Sequence, residues 1–240
     1  MLNILSRCQK EYEQSLKNKK ILFIIEAKDR KLRIEEVFFG ERNFYHLTGI
    51  KAFDKLNKEL SPKSFYYLLS KGKINKSKII KKDNTTDLKL QVLPQLMKID
   101  KMANMVGDYL GNNIFLQTQK VVGNIHACMG FVRDNKLNIY VPNTVLNLDM
   151  RKLTTNRNKI IAILKTNQSD GLYDEITYLK EKYKISDILQ HKYISKYIDI
   201  NNLWTPDCKI NKKILDFHDT ICFSKSEKMQ SEKTLKNLLK

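Results

Sequence analysis

Glycine and proline are scarce, at eight and four residues in 240. That scarcity excludes collagen-like and linker-dominated chains and leaves little material for a glycine-rich phosphate loop. Neither GxxxxGK[ST] nor GxGxxG occurs, which sets aside P-loop and dinucleotide chemistry. HExxH and the HxE…PCxxC pattern of zinc deaminases are also missing. The four cysteines (Cys8, Cys128, Cys208 and Cys222) lie far apart with no CxxC pair, as expected of reduced thiols in a cytoplasmic protein. No apolar run approaches the ~20 residues of a membrane span. The opening MLNILSRCQKEYEQ turns charged too soon for a secretory signal, so no membrane insertion is expected. Acid is in short supply too: 26 Asp and Glu stand against 44 Lys and Arg, a formal charge of +18.

What is present can build a core. Hydrophobic residues make up 42% of the chain, with 11 Tyr, 10 Phe and 1 Trp, which rules out wholesale disorder. Codon bias in an A+T-rich genome would enrich Lys, Asn and Ile together, but it would not leave 18 positive charges uncompensated. Such a surface attracts polyanions, nucleic acid first, with a membrane surface or an acidic protein as the other partner classes. Residues 1–185 carry +15 of the +18, so the polyanion site is expected there.

Residues 2–18 read as a short amphipathic helix, and 21–27 with 31–39 as two strands joined by a tight connection. NFYHLTGI (43–50) reads as a strand entering a turn at Gly49. Ser61-Pro62 reads as an N-cap and first helical position. A helix capped by Asp83 or Thr86 follows, with Pro94 interrupting it. From residue 105 strands dominate, with Asp134-Asn135 at a turn and 159–166 as a further strand; 173–183 fits either a strand or a helix. The chain is therefore read as α+β: residues 1–185 pair N-terminal helices with an antiparallel sheet of four or more strands, and 186–240 form a mostly helical extension with a polar tail.

Two constellations invite chemistry. Ile24-Ile25-Glu26-Ala27-Lys28 is an apolar strand ending in E-x-K, the second half of a magnesium nuclease signature. That chemistry also requires an upstream aspartate, and the first 28 residues contain none. His126-Ala127-Cys128 lacks a partner pair for a metal, so neither a metal nor a cofactor is expected. The stronger constellation is Gly40 to Ile50. In an extended chain, Phe44, His46 and Thr48 would share one side. His46 would transfer protons near neutrality, Thr48 and the Gly49 backbone would bind phosphate oxygen, and Arg42 would present a guanidinium fork. The alternative is a structural histidine on an ordinary strand. Six lysines in 71–82 (Lys71, Lys73, Lys76, Lys78, Lys81 and Lys82) form either a solvated face or a phosphate track, with Tyr66 and Tyr67 near for stacking.

Asn43-Phe44-Tyr45-His46-Leu47-Thr48-Gly49-Ile50 resembles the N-F-x-H-L-T-G motif of the fourth phage-associated group in the Barnase–EndoU–Colicin–RelE superfamily. Ile139-Tyr140-Val141-Pro142-Asn143-Thr144, running on to Asp149 and Arg151, resembles its Y-V-P-N-T continuation. Segments 159–163 and 173–178 resemble its closing strands. The likeness spans roughly residues 10–185. It implies an N-terminal helical part, a four-stranded antiparallel sheet with the active site on its face, and metal-independent RNA cleavage in a protein of a phage or mobile element. Carried over residue by residue, it implies His46, Thr48 and Tyr140 in catalysis, with Asn43, Thr144 and Arg151 on the RNA. Lys120, as a catalytic cation, and Lys159, on the RNA, are added here from charge and position. Tyr140 as sheet core and Thr144 as a turn cap stay open. The expected function is a cytoplasmic, toxin-like ribonuclease effector. The alternative is a non-enzymatic basic protein that binds nucleic acid or blocks a host defence protein. Residues 186–240 are available to a host or phage protein partner.

Overall fold

The computed structural model describes residues 1–111, 117–166 and 171–205. Helix α1 (Leu2–Ser15) buries Leu5, Cys8 and Tyr12 on one face. Strands β1 (Lys19–Glu26) and β2 (Leu32–Phe39) form the expected hairpin, in register from Lys19↔Phe39 to Glu26↔Leu32. Then come α2 (Glu41–Thr48), β3 (Ile50–Ala52), α3 (Pro62–Ser70), β4 (Ile79–Lys81), α4 (Thr86–Leu96) and α5 (Ile99–Met102). Ser61 caps α3 by accepting the Ser64 N–H at 3.1 Å, with Pro62 first in the helix, as the sequence predicts. Pro94 does not interrupt α4, which runs on to Leu96.

Six strands follow: β5 (Met105–Tyr109), β6 (Lys120–Gly123), β7 (Cys128–Asp134), β8 (Ile139–Leu146), β9 (Thr154–Thr166) and β10 (Glu175–Leu179). The ambiguous segment 173–183 therefore holds a strand. Two short helices, α6 (Ile185–Leu189) and α7 (Lys192–Ser195), and a 3₁₀ turn (Ile200–Asn202) follow among the described residues.

The sheet corrects the four-stranded expectation. Seven strands close into a barrel in the order β1-β2-β8-β7-β6-β5-β9 and back to β1. The length of β9 makes this possible. One edge pairs with β1; the other pairs first with β5 and then, further along, with β10. The β2–β8 joint is parallel and rests on Val37↔Tyr140. Bulges in the β1–β9 and β7–β8 ladders supply the local bends a small barrel needs.

Closure explains the unbroken run Ile21–Ile25, since β1 is covered on both sides. Ile21, Phe23 and Ile25 face the core shared with α1, α2 and α4, while Leu22 and Ile24 face outward under Ile188, Ile194 and Ile198. Residues 185–203 thus pack on the barrel wall. Of the extension expected to be mostly helical, 206–240 lie outside the described residues. Lys165 of β9 is buried between Asp100 at 3.0 Å and Glu175 at 3.2 Å, an ion cluster that ties β9 to α5 and β10. Cys8 and Cys128 are free and buried, and burial pushes both thiols up to about 12. Cys208 and Cys222 lie outside the described residues. Among the described residues no helix is long and apolar enough to cross a membrane.

Candidate active site

Residues 41–48 form a helix where a strand was expected, and this changes the geometry of the whole motif. Phe44, Leu47 and Thr48 turn into the core, while His46 points the other way and is exposed. Gly49 ends the helix with φ +65°, the left-handed conformation that favours glycine at a helix C-terminus. The helical signals were in the sequence: Glu41 in the first turn, apolar residues at i and i+3, and Gly49 just past the last turn.

A groove of about 760 Å³ opens beside His46. Its walls come from α2, from the turn between β4 and α4, and from β8 with Pro142, Asn143 and Thr144. The N-F-x-H-L-T-G and Y-V-P-N-T segments, about a hundred residues apart, therefore meet. Asn43 makes the join: its Oδ1 accepts the Gly40 N–H at 2.8 Å, and its Nδ2 donates to the Pro142 carbonyl at 3.3 Å. No turn follows Pro142-Asn143. Strand β8 continues through Thr144, with Asn143 as the extra residue of a bulge opposite Gly130 and Phe131. A bulge suits a proline that cannot donate to the ladder. Asn143 donates to the Gln117 carbonyl at 2.6 Å and accepts from Thr118 Oγ1 at 3.2 Å.

The groove carries charges of both signs. Although His46 is exposed, partial desolvation against the groove wall, and then the neighbouring Lys82, hold its imidazole below its usual range. Lys82 and Lys89 share the groove with it, together with the carboxylates Glu59 and Asp83. Hydrogen bonds from Thr85 keep Asp83 below the usual carboxylate range, hence charged. Glu59 accepts the Tyr45 hydroxyl at 3.1 Å. Sequence reasoning missed Lys89, Glu59 and Asp83, because only the packing of the β3–α3 connection, the β4–α4 turn and α4 beside α2 brings them there.

Several expected residues lie elsewhere. Thr48 is fully buried and donates its hydroxyl to the Tyr45 carbonyl at 2.7 Å, so it does not reach the groove. Asn43 is spent on its two structural bonds. Arg42 is exposed on α2 and does not line the groove. Tyr140 is half-buried at the β2–β8 joint, where it packs against the main core with the Arg133 guanidinium 5.7 Å from its ring, and it does not line the groove. Lys120 is placed at the mouth of the barrel by the β1–β2 turn, 2.8 Å from both Glu35 and Asp108. Its ammonium is raised in pKa: burial opposes this, and the two carboxylates outweigh it. Arg151 pairs with Asp149 at 2.7 Å, and Lys159 is exposed on β9 opposite Glu26.

The lysine run leads towards the groove. Lys71, Lys73, Lys76 and Lys81 are exposed, Lys78 is half-buried and donates to Asn57 Oδ1, Lys81 pairs with Asp87, and Lys82 enters the groove. Tyr66 is not available for stacking, since it is buried and donates to Glu13 at 2.8 Å; Tyr67 is exposed. His126 is exposed while Cys128 is buried, so the two do not act as a pair. Among the described residues no three His, Cys, Asp or Glu side chains are grouped as a metal site.

Residues 4–182 match the sequence profile of the phage-Barnase-EndoU-ColicinE5/D-RelE like nuclease 4 family. The chain belongs to this nuclease family. Membership makes it nuclease-like and makes nucleic acid its substrate class. No curated protein and no solved structure matches the chain. In this family member, the two motif segments line the His46 groove.

Proposed function

We propose that this member of the nuclease 4 family is a metal-independent endoribonuclease, an effector of a phage or mobile element that cleaves RNA through attack of the neighbouring 2′-hydroxyl. The observation that carries the reading is the convergence of the two motif segments on one groove that also holds Lys82 and Lys89, with His46 exposed in it. An imidazole held below its usual range is mostly neutral at pH 7, the state required of a general base. His46 takes the proton of the 2′-hydroxyl, and Lys82 holds the scissile phosphate and offsets the charge that develops on it. Positioned proton transfer contributes on the order of 10²–10⁴-fold. Thr144 and Asn143 line the β8 wall, where the flanking nucleotide would lie. The exposed lysines of 71–81 extend the phosphate track, with Tyr67 as a stacking platform.

The rival reading, a basic module that binds without cutting, draws on Thr48, Tyr140 and Lys120 lying outside the groove. Incubation of purified protein with mixed RNA in EDTA separates the two. The nuclease is expected to release 2′,3′-cyclic phosphate ends, and His46→Ala to lose about 10²-fold or more of the rate. Tight, salt-sensitive binding by the wild type with no cleavage would establish the binding module instead. Cleavage only after added magnesium would remove the metal-independent step.

A further inference from the structure

Lys89 differs from other lysines of this protein in how it is held. It stands in the first turns of α4, and the start of that helix is pinned to the end of α2. The Gly49 carbonyl accepts from both Lys82 N–H, at 3.0 Å, and Thr86 Oγ1. The Lys89 stem lies across Gly49 so closely that a Cβ there would come within 2.8 Å of Lys89 Cδ. Its ammonium therefore emerges beside the helix that carries His46, in the same groove.

Lys120 and Lys165 are each held by two carboxylates. By contrast, Lys89 Nζ has no hydrogen-bond or ion-pair partner among the described residues. The charged groups that share the groove with it are His46 from α2, Glu59 from the β3–α3 connection, and Lys82 and Asp83 from the β4–α4 turn; β7 and β8 present only uncharged side chains. Burial has the largest effect on Lys89, and it lowers the pKa. Asp83 opposes, Lys82 reinforces, and the net result lies below the usual ammonium range. A half-buried amine with no ion-pair partner gives up its proton more readily than a surface lysine.

We propose that Lys89 is the general acid of the cleavage assigned to His46, an inference that rests on that reading of the groove. The 2′-oxygen attacks phosphorus and its proton passes to an imidazole nitrogen of His46. The bond from phosphorus to the 5′-oxygen breaks, and that oxygen takes a proton from Lys89 Nζ. The products are a 2′,3′-cyclic phosphate and a free 5′-hydroxyl. His46 is left as imidazolium and Lys89 as neutral amine, and exchange with water restores both. Atoms and charge balance without any further reactant.

The test compares two substrates on the full chain: single-stranded RNA, and uridine 3′-(4-nitrophenyl phosphate), whose leaving group needs no proton. Lys89→Met keeps the stem that packs on Gly49, and a circular-dichroism melt confirms the fold. On RNA its kcat is expected to fall by ~10²–10⁴ with KM little changed, while the activated substrate loses no more than a few-fold. Lys89→Arg keeps the charge but holds its proton, so it is expected to match wild-type KM without restoring turnover of RNA. The wild-type rate should decline on the alkaline side as Lys89 loses its proton, and Lys89→Met should abolish that decline. Equal losses on both substrates, or none on either, would overturn the assignment while leaving the nuclease in place. If the wild type cleaves neither substrate, the groove reading itself falls, and the acid role falls with it. His46→Ala is expected to lose both substrates, since both need the base.

Discussion

The amide of Asn43 accepts from the Gly40 N–H and donates to the Pro142 carbonyl, so one side chain both starts α2 and holds it against β8. Asn43→Ala removes a helix-start bond and leaves a buried carbonyl without its donor. The combined loss is about 1–3 kcal/mol. For a domain of this size the melting temperature is expected to fall by roughly 3–10 °C. Cleavage measured well below that temperature should fall further than the population of folded protein does, because the wall carrying His46 is released from β8. Asn43→Asp, which keeps the acceptor and loses the donor, should lie between the two. A variant that melts earlier but cuts at the wild-type rate would show that the join is structural only. At this scale the sequence was partly readable. His46 stood out by chemistry, but whether it faced the groove or the core depended on helix against strand. Eight residues with apolar positions at both spacings do not separate those two periods.

At the scale of elements, the segment 71–82 is an arm: a 3₁₀ turn (Lys76–Lys78) and the short strand β4 paired with β3, with most of its lysines exposed. Charge on such an arm raises affinity without touching chemistry. Replacing Lys71, Lys73, Lys76 and Lys78 together by Gln should weaken RNA binding and reduce the slope of log K against log salt by up to about 3, at ~0.7 per phosphate contact on single strands. At saturating RNA, kcat should stay near wild type. Filter binding across a salt series on the His46→Ala background checks this, and an unchanged slope would return the run to a solvated surface. Lys81 is left out because Asp87 already neutralises it.

On the scale of the whole molecule, the Lys165 cluster links β9 to α5 and β10 inside the fold. Lys165→Met leaves Asp100 and Glu175 buried without their cation, a loss of about 3–5 kcal/mol. Burial, the largest influence on Lys165, lowers its pKa, but the fields and hydrogen bonds of Asp100 and Glu175 outweigh it, so the net shift is upward. A folded-state pKa above the unfolded one means the pairing contributes fully at neutral pH and is lost as pH rises past ~10.4. Denaturant melts should therefore show the gap between wild type and Lys165→Met narrowing in strong alkali. A gap that stays constant with pH would place the stabilisation in packing rather than charge.

Local pattern was enough to locate most strands, the α1 stripe, the Ser61-Pro62 cap and the concentration of positive charge, because each depends on neighbours within a few residues. It did not reveal the barrel, since closure rests on β1 meeting β9 and β2 meeting β8, pairings across a hundred residues or more. Nor did it separate Lys89 from Lys120. Both are lysines in basic surroundings, and only the fold leaves one unpaired beside His46 and buries the charge of the other between Glu35 and Asp108. The amino-acid order by itself located most of the elements and fixed the excess of positive charge. The tertiary structure alone decided which charges stay free to act, because pairing and burial are properties of distance in space.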